Sequence, residues 1–219
     1  SNAFMLGFCR YQKKWLGTCR ALGSEGMHQV KRINPLKRIS EFFYEKSSFK
    51  VAIFCTAIFG AYLVLVMTRQ AIGFEIPNSN IKSLGMTFGF AEPDIITFFK
   101  LRNEQMISAY INFNLIWDTI FALIYGVMYA VWLSILLKAS AEKFGIVNLI
   151  PFLQVIFDWL ENYSLGYLAE QYLTTGTITP YIAKLSSYFV MIKWVCSGLT
   201  YFAIILGIAF LFVRLFKKK

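Results

Sequence analysis

Asp158, Glu161 and Asn162 lie within IPFLQVIFDWLENYSLGYL, a stretch otherwise built from large apolar and aromatic residues. The preceding apolar stretch, NLIWDTIFALIYGVMYAVW, carries Asp118. A carboxyl group at bilayer depth costs roughly 2.5 kcal/mol or more. Such groups persist where they face a bundle interior and find partners, and there they usually serve a function. The chain is 57% hydrophobic and only 16% charged, whereas soluble proteins carry about 25% charged residues. These features together predict an integral membrane protein with a polar site inside it.

Four segments read as spans, since about 20 apolar residues cross a hydrocarbon core of roughly 30 Å. They cover residues 51–68, 108–137, 147–168 and 186–216. The second and fourth exceed the minimum, so tilt or protruding ends are expected. Basic residues orient the set. Arg10, Lys31, Arg32, Lys37, Arg38, Lys46 and Lys50 precede the first span, Lys138 and Lys143 separate the second and third, and Lys217–Lys219 close the chain. The opposite side holds fewer: Arg69, Lys82, Lys100, Arg102 and Lys184. The positive-inside rule then puts both ends in the cytoplasm. The net charge of +10 follows from this asymmetry. It reads as an orientation and anionic-headgroup signal, with no nucleic-acid partner expected.

Residues 1–3, Ser-Asn-Ala, read as an expression scar, and Met5 or Met27 as the true start. No secretory signal pattern is read, because the basic N-terminal part lacks a following short apolar run and small-residue cleavage site. Cys9, Cys19, Cys55 and Cys196 form no CxxC pair and suggest neither a disulfide framework nor a thiol redox site. His28 is the single histidine and lies outside the spans, which argues against a histidine zinc centre. No metal and no cofactor is expected.

Two shorter helices are expected at the interfaces. Residues 35–46, PLKRISEFFYEK, place Leu36, Ile39, Phe42 and Phe43 on one side and read as a lipid-anchoring amphipathic helix. The external segment 69–107 opens as loop around Gly73 and Pro77–Asn80. It ends in PDIITFFKLRNEQM, 93–106, read as one amphipathic helix packed on the bundle top, with a lid or lipid gate as the alternative.

Helical spacing sorts the polar residues of the spans into stripes. Asn114, Asp118, Tyr125 and Tyr129 share one face of the second span. Gln154, Asp158, Glu161 and Asn162 share one face of the third, and Lys193, Cys196, Ser197 and Thr200 one face of the fourth. At a rise of about 1.5 Å per residue, Asp118 lies roughly 15 Å below the external face and Lys193 roughly 10 Å below it. Asp158 and Glu161 come up roughly 17–21 Å from the other side. The stripes therefore meet. One lysine facing three carboxylates requires a protonated carboxyl or a bound cation to balance the charge.

Three readings follow for this cluster. It is a ligand or catalytic pocket, with Asp118, Asp158 and Glu161 as acid–base groups and Asn114, Tyr125, Gln154, Asn162 and Lys193 as binding groups. Alternatively it is a proton or cation path, or a polar lock that only fixes helix packing. Trp117, Trp159, Tyr125, Tyr163 and Trp194 would supply an apolar wall for a lipid-like molecule. No GxSxG, HExxH or Gly-rich phosphate loop is present. Gly60, Gly126, Gly166, Gly198 and Gly207 read as close-packing positions.

The order of these elements resembles a family. An aromatic-Gly-aromatic turn, Phe88-Gly89-Phe90, precedes a short helix. A span with Asp118, Phe121 and Tyr125 follows, and then a Pro-led helix with Pro151, Asp158, Glu161 and Asn162. Over residues 85–170 this is similar to a group of small uncharacterised four-helix bacterial membrane proteins. The resemblance implies a bundle with a real site around the Asp-x-x-Glu-Asn element, and no particular activity. Sterol-binding and isomerase proteins of the emopamil-binding type also set carboxylates in a four-helix bundle, which is analogy at the level of fold; their motif is not found here.

The expected fold is all-α: a polytopic four-transmembrane-helix bundle in a bacterial-type inner membrane. It comprises a basic N-terminal segment (1–50), the membrane domain (51–216) and a basic tail (217–219). The expected partners are membrane lipids and a small lipid-like ligand. Whether the protein is an enzyme, and its oligomeric state, stay open at this point.

Overall fold

The structure is a computed structural model that describes residues 34–76 and 83–217. Cys9, Cys19, His28, both start methionines, the Ser-Asn-Ala scar and the Pro77–Asn80 loop lie outside the described residues. Among those described, every regular element is helical. We number α1 (Pro35–Lys46), α2 (Phe49–Ala71), α3 (Glu92–Lys100), α4 (Glu104–Leu137), α5 (Ile150–Thr175) and α6 (Pro180–Lys217).

Local chemistry accounts for the helix boundaries. Ser48 begins α2 by accepting a hydrogen bond from the Val51 amide, an N-cap that satisfies an otherwise orphan donor. Pro151 sits in the first turn of α5, where its missing N–H costs nothing. Gly176 ends α5 in the left-handed region at φ 69°, where a side chain would be strained. The amphipathic helix expected over 93–106 is in fact two. α3 ends at Lys100, and Asn103 caps α4 by accepting from the Met106 amide. An Asn cap followed by Glu104 is a start signal that the apolar periodicity concealed.

Three helices, α2, α4 and α6, are long and apolar enough to cross a membrane. The remaining expected segment, α5, is not among them. α5 is 26 residues long, about 39 Å at the usual rise, but its polar stripe holds it below the same apolarity. The stripe is buried instead: Gln154, Asp158, Glu161 and Asn162 all face protein.

α4, α5 and α6 form the centre. α5 runs antiparallel to α4, with Gly126 against Val155 near one end and Gly166 against Leu115 near the other. α6 runs antiparallel to α5, pairing Ser186 with Ser164 and Lys193 with Asp158. α2 packs on α4 through Phe59, Tyr62 and Phe121 and makes no comparable contact with α5 or α6. Close packing explains Gly126, Gly166 and Gly207, where an added Cβ meets Val155, Leu115 and Leu136. It does not explain Gly60 and Gly198, which face open space.

Each end of the centre is closed differently. At one end α3 packs on the bundle, with Ile95, Phe98 and Phe99 fully buried in a cluster with Tyr110, Leu165 and Leu168. Arg102 is buried there, donating to the Phe74 and Phe98 carbonyls with its guanidinium 3.4 Å from the centroid of the Phe98 ring. Burial lowers the pKa of Arg102, opposed by Tyr110 and Glu75 nearby. At the other end α1 folds back onto the bundle. Ser40 donates to Asn148 Oδ1 at 2.7 Å, and the Asn148 amide donates to Ser134 and to the Ser40 carbonyl. Leu36, Ile39 and Phe42 remain on the outer face of α1.

Candidate functional site

The site begins with a backbone irregularity. α4 widens into a π-helical turn over Phe113–Asp118, and α2 does the same over Leu63–Met67. The two wide turns pack against one another. Such turns loosen the i to i−4 ladder and are frequent at functional sites. Side chains from neighbouring helices donate to carbonyls at this turn and just past it: Tyr62 of α2 to the Trp117 carbonyl at 3.0 Å, and Trp159 of α5 to the Thr119 carbonyl at 2.9 Å. These two contacts tie the distorted turn to α2 and α5.

The turn presents Asn114 and Asp118 to a cavity of about 590 Å³. Its charged floor is Asp118 from α4, Asp158 and Glu161 from α5, and Lys193 from α6. Lys193 Nζ lies 3.2 Å from Asp158 Oδ1 and closer still to Glu161 Oε2. The other Asp158 oxygen accepts from the Tyr125 hydroxyl at 2.5 Å. Asp158, Glu161 and Lys193 are each at least nine-tenths buried. Asp118 differs. It is within electrostatic reach of all three, yet it is only half-buried and turns toward the cavity. The Asn162 amide stands beside it, outside ordinary hydrogen-bond geometry.

The turn Leu84–Met86 roofs the floor. The Gly85 carbonyl accepts from Lys193 Nζ at 3.3 Å, and its Cα lies against the Glu161 carboxylate with no room for a Cβ. The segment after it is held to α6: Phe90 N–H donates to Ser187 Oγ at 2.9 Å, and Gly89 packs on Met191 with φ 87°. The apolar wall comes from Phe59, Leu63 and Met67 of α2, Phe121 of α4, and Trp194 and Tyr201 of α6.

One cavity brings together most of the residues that helical spacing groups. Asp118, Asp158, Glu161, Asn114, Tyr125, Gln154 and Lys193 all line the cavity. Asn162 is buried behind Asp118 rather than on the surface of the cavity. The aromatic wall is the larger correction. Trp194 and Tyr125 belong to it, but Tyr163 is 71% exposed, and Trp159 is spent on the Thr119 carbonyl. Trp117 contributes its backbone carbonyl and is not among the lining residues. The α2 face and Gly85 carry no polar signature in sequence, since one is an apolar helix and the other acts through its backbone carbonyl; Glu75, just beyond α2, also lines the cavity.

No protein-family model, curated protein or solved structure matches this chain.

Proposed function

We propose that this is a four-helix integral membrane protein whose interior cavity binds, or processes by acid–base chemistry, a small amphipathic or lipid-like ligand. α5 completes the membrane bundle as the fourth crossing, its polar stripe shielded by α4 and α6. The uneven basic residues support an inner-membrane orientation with both chain ends in the cytoplasm and α1 lying on anionic headgroups.

One observation carries the reading: a charged floor and an aromatic–aliphatic wall enclose a single cavity between α2 and α6, two helices that do not close on each other. Ligand pockets typically hold about 300–1,000 Å³ and combine apolar walls with a few convergent polar groups. A helix-packing lock would need the Lys193 ion pairs but not an unfilled space beside them. A transport path is also less well supported. Tyr129 and Tyr201 meet at 3.3 Å within the cavity lining, and the apolar cluster of Leu133, Leu137 and Ala203 lies further along the same helices.

The test is native mass spectrometry with lipid extraction on protein purified in mild detergent, comparing wild type with Asp158→Asn/Glu161→Gln. A specific small molecule carried by wild type and lost from the variant is the expected result. A variant that is merely less heat-stable, with nothing specific bound to either protein, would return the cluster to a packing role.

A further inference from the structure

The cavity floor is asymmetric in a way that selects a headgroup. Three carboxylates face one lysine, and Glu75 lines the rim. Lys193 engages Asp158 and Glu161, and Tyr125 takes the remaining Asp158 oxygen. Asp118 is left as the carboxylate turned to the open space. Gln154 provides a second, independent observation. It lines the same cavity at 6% exposure, and its Oε1 has no hydrogen-bond partner. A buried acceptor left unmade costs about 1–3 kcal/mol. Asp118 and Gln154 Oε1 are acceptors, and Trp194 Nε1 is the one unpartnered donor on the same lining among the described residues. The excess of carboxylates over lysine, where a proton does not meet it, favours a cation.

A metal ion fits these groups poorly. Among the described residues no three carboxylate, cysteine or histidine side chains gather closely enough to hold one. An organic ammonium needs no such convergence: it carries several donors and is attracted to aromatic faces, of which Phe121, Tyr201 and Trp194 stand on the wall. The way out is apolar. Phe59 and Leu63 of α2 face the cavity across from Tyr201 of α6, and α2 and α6 have no packed seam between them.

We propose that the cavity takes a single-chain amphiphile with a protonated amine headgroup, seated against Asp118 and Gln154, with its tail leaving between α2 and α6. This rests on the reading of the cavity as an amphiphile site and names the class.

The experiment measures binding to the full chain in lipid nanodiscs for hexadecylamine, hexadecanol and hexadecanoate. Charge-assisted hydrogen bonds predict that the amine binds at least about tenfold more tightly than the alcohol, with the acid weakest. A lysophosphatidylethanolamine arm separates a free amine from an ammonium carried on a phospholipid headgroup; preference for either over hexadecanol supports the proposal. Asp118→Asn, nearly isosteric, should remove most of the preference for amine over alcohol. Equal binding of amine, alcohol and acid overturns the headgroup assignment and leaves the amphiphile site standing. Binding of none of them by the folded wild-type protein overturns both.

Discussion

Lys193 of α6 bridges two α5 carboxylates one helical turn apart, Asp158 at 3.2 Å and Glu161 closer. The same ammonium also reaches the Gly85 carbonyl of the roof. One side chain thus joins the α5–α6 seam, the cavity floor and its roof.

Replacing it should be costly. Lys193→Met leaves two buried carboxylates without a counter-charge, and breaking a buried pair in this way costs about 3–5 kcal/mol. A large drop in apparent melting temperature in detergent is expected. Asp158→Asn should cost less, since Glu161 still holds the lysine.

The roof makes a sharper test. Gly85→Ala puts a methyl group into the Glu161 carboxylate, and such overpacking typically costs about 1–3 kcal/mol. Gly198→Ala meets nothing within 4 Å and should be neutral or stabilising by about 0.5–1 kcal/mol, as for glycine in a helix interior. Thermal unfolding of the two variants side by side checks this contrast.

Tyr125→Phe removes the hydroxyl that donates to Asp158. The expected cost is about 1–3 kcal/mol from the acceptor left behind. Amphiphile affinity should change with it, because the Asp158 carboxylate is freed toward the cavity. Hexadecylamine binding in nanodiscs, compared with wild type, measures the effect.

At the far end, Asn148→Leu cuts the network joining α1 to the bundle. Ser40 and Ser134 lose their buried partner, and α1 should become much more exposed. Hydrogen exchange over residues 35–47 should rise while the α5–α6 seam keeps its protection.

The charged floor was legible in the sequence, for a simple reason. The 3.6-residue period assigns each polar residue to a face, and the antiparallel packing of α4, α5 and α6 brings those faces together. Asp118, Asp158, Glu161 and Lys193 accordingly meet. What stayed hidden depends on backbone. The π-helical turn at Phe113–Asp118 has no signature in residue type, and Gly85 acts through its carbonyl and its lack of a side chain. Tyr163 was misplaced because an aromatic beside a polar stripe can turn outward as easily as inward, and here it is on the outer face.

The most direct measurement is an experimental structure of the full chain in lipid nanodiscs. The account predicts elongated density in the cavity, its polar end beside Asp118 and Gln154 and its tail emerging between α2 and α6. A cavity closed by its own side chains would contradict it. So would a continuous water-filled path running past Tyr129 and Tyr201 to the opposite face.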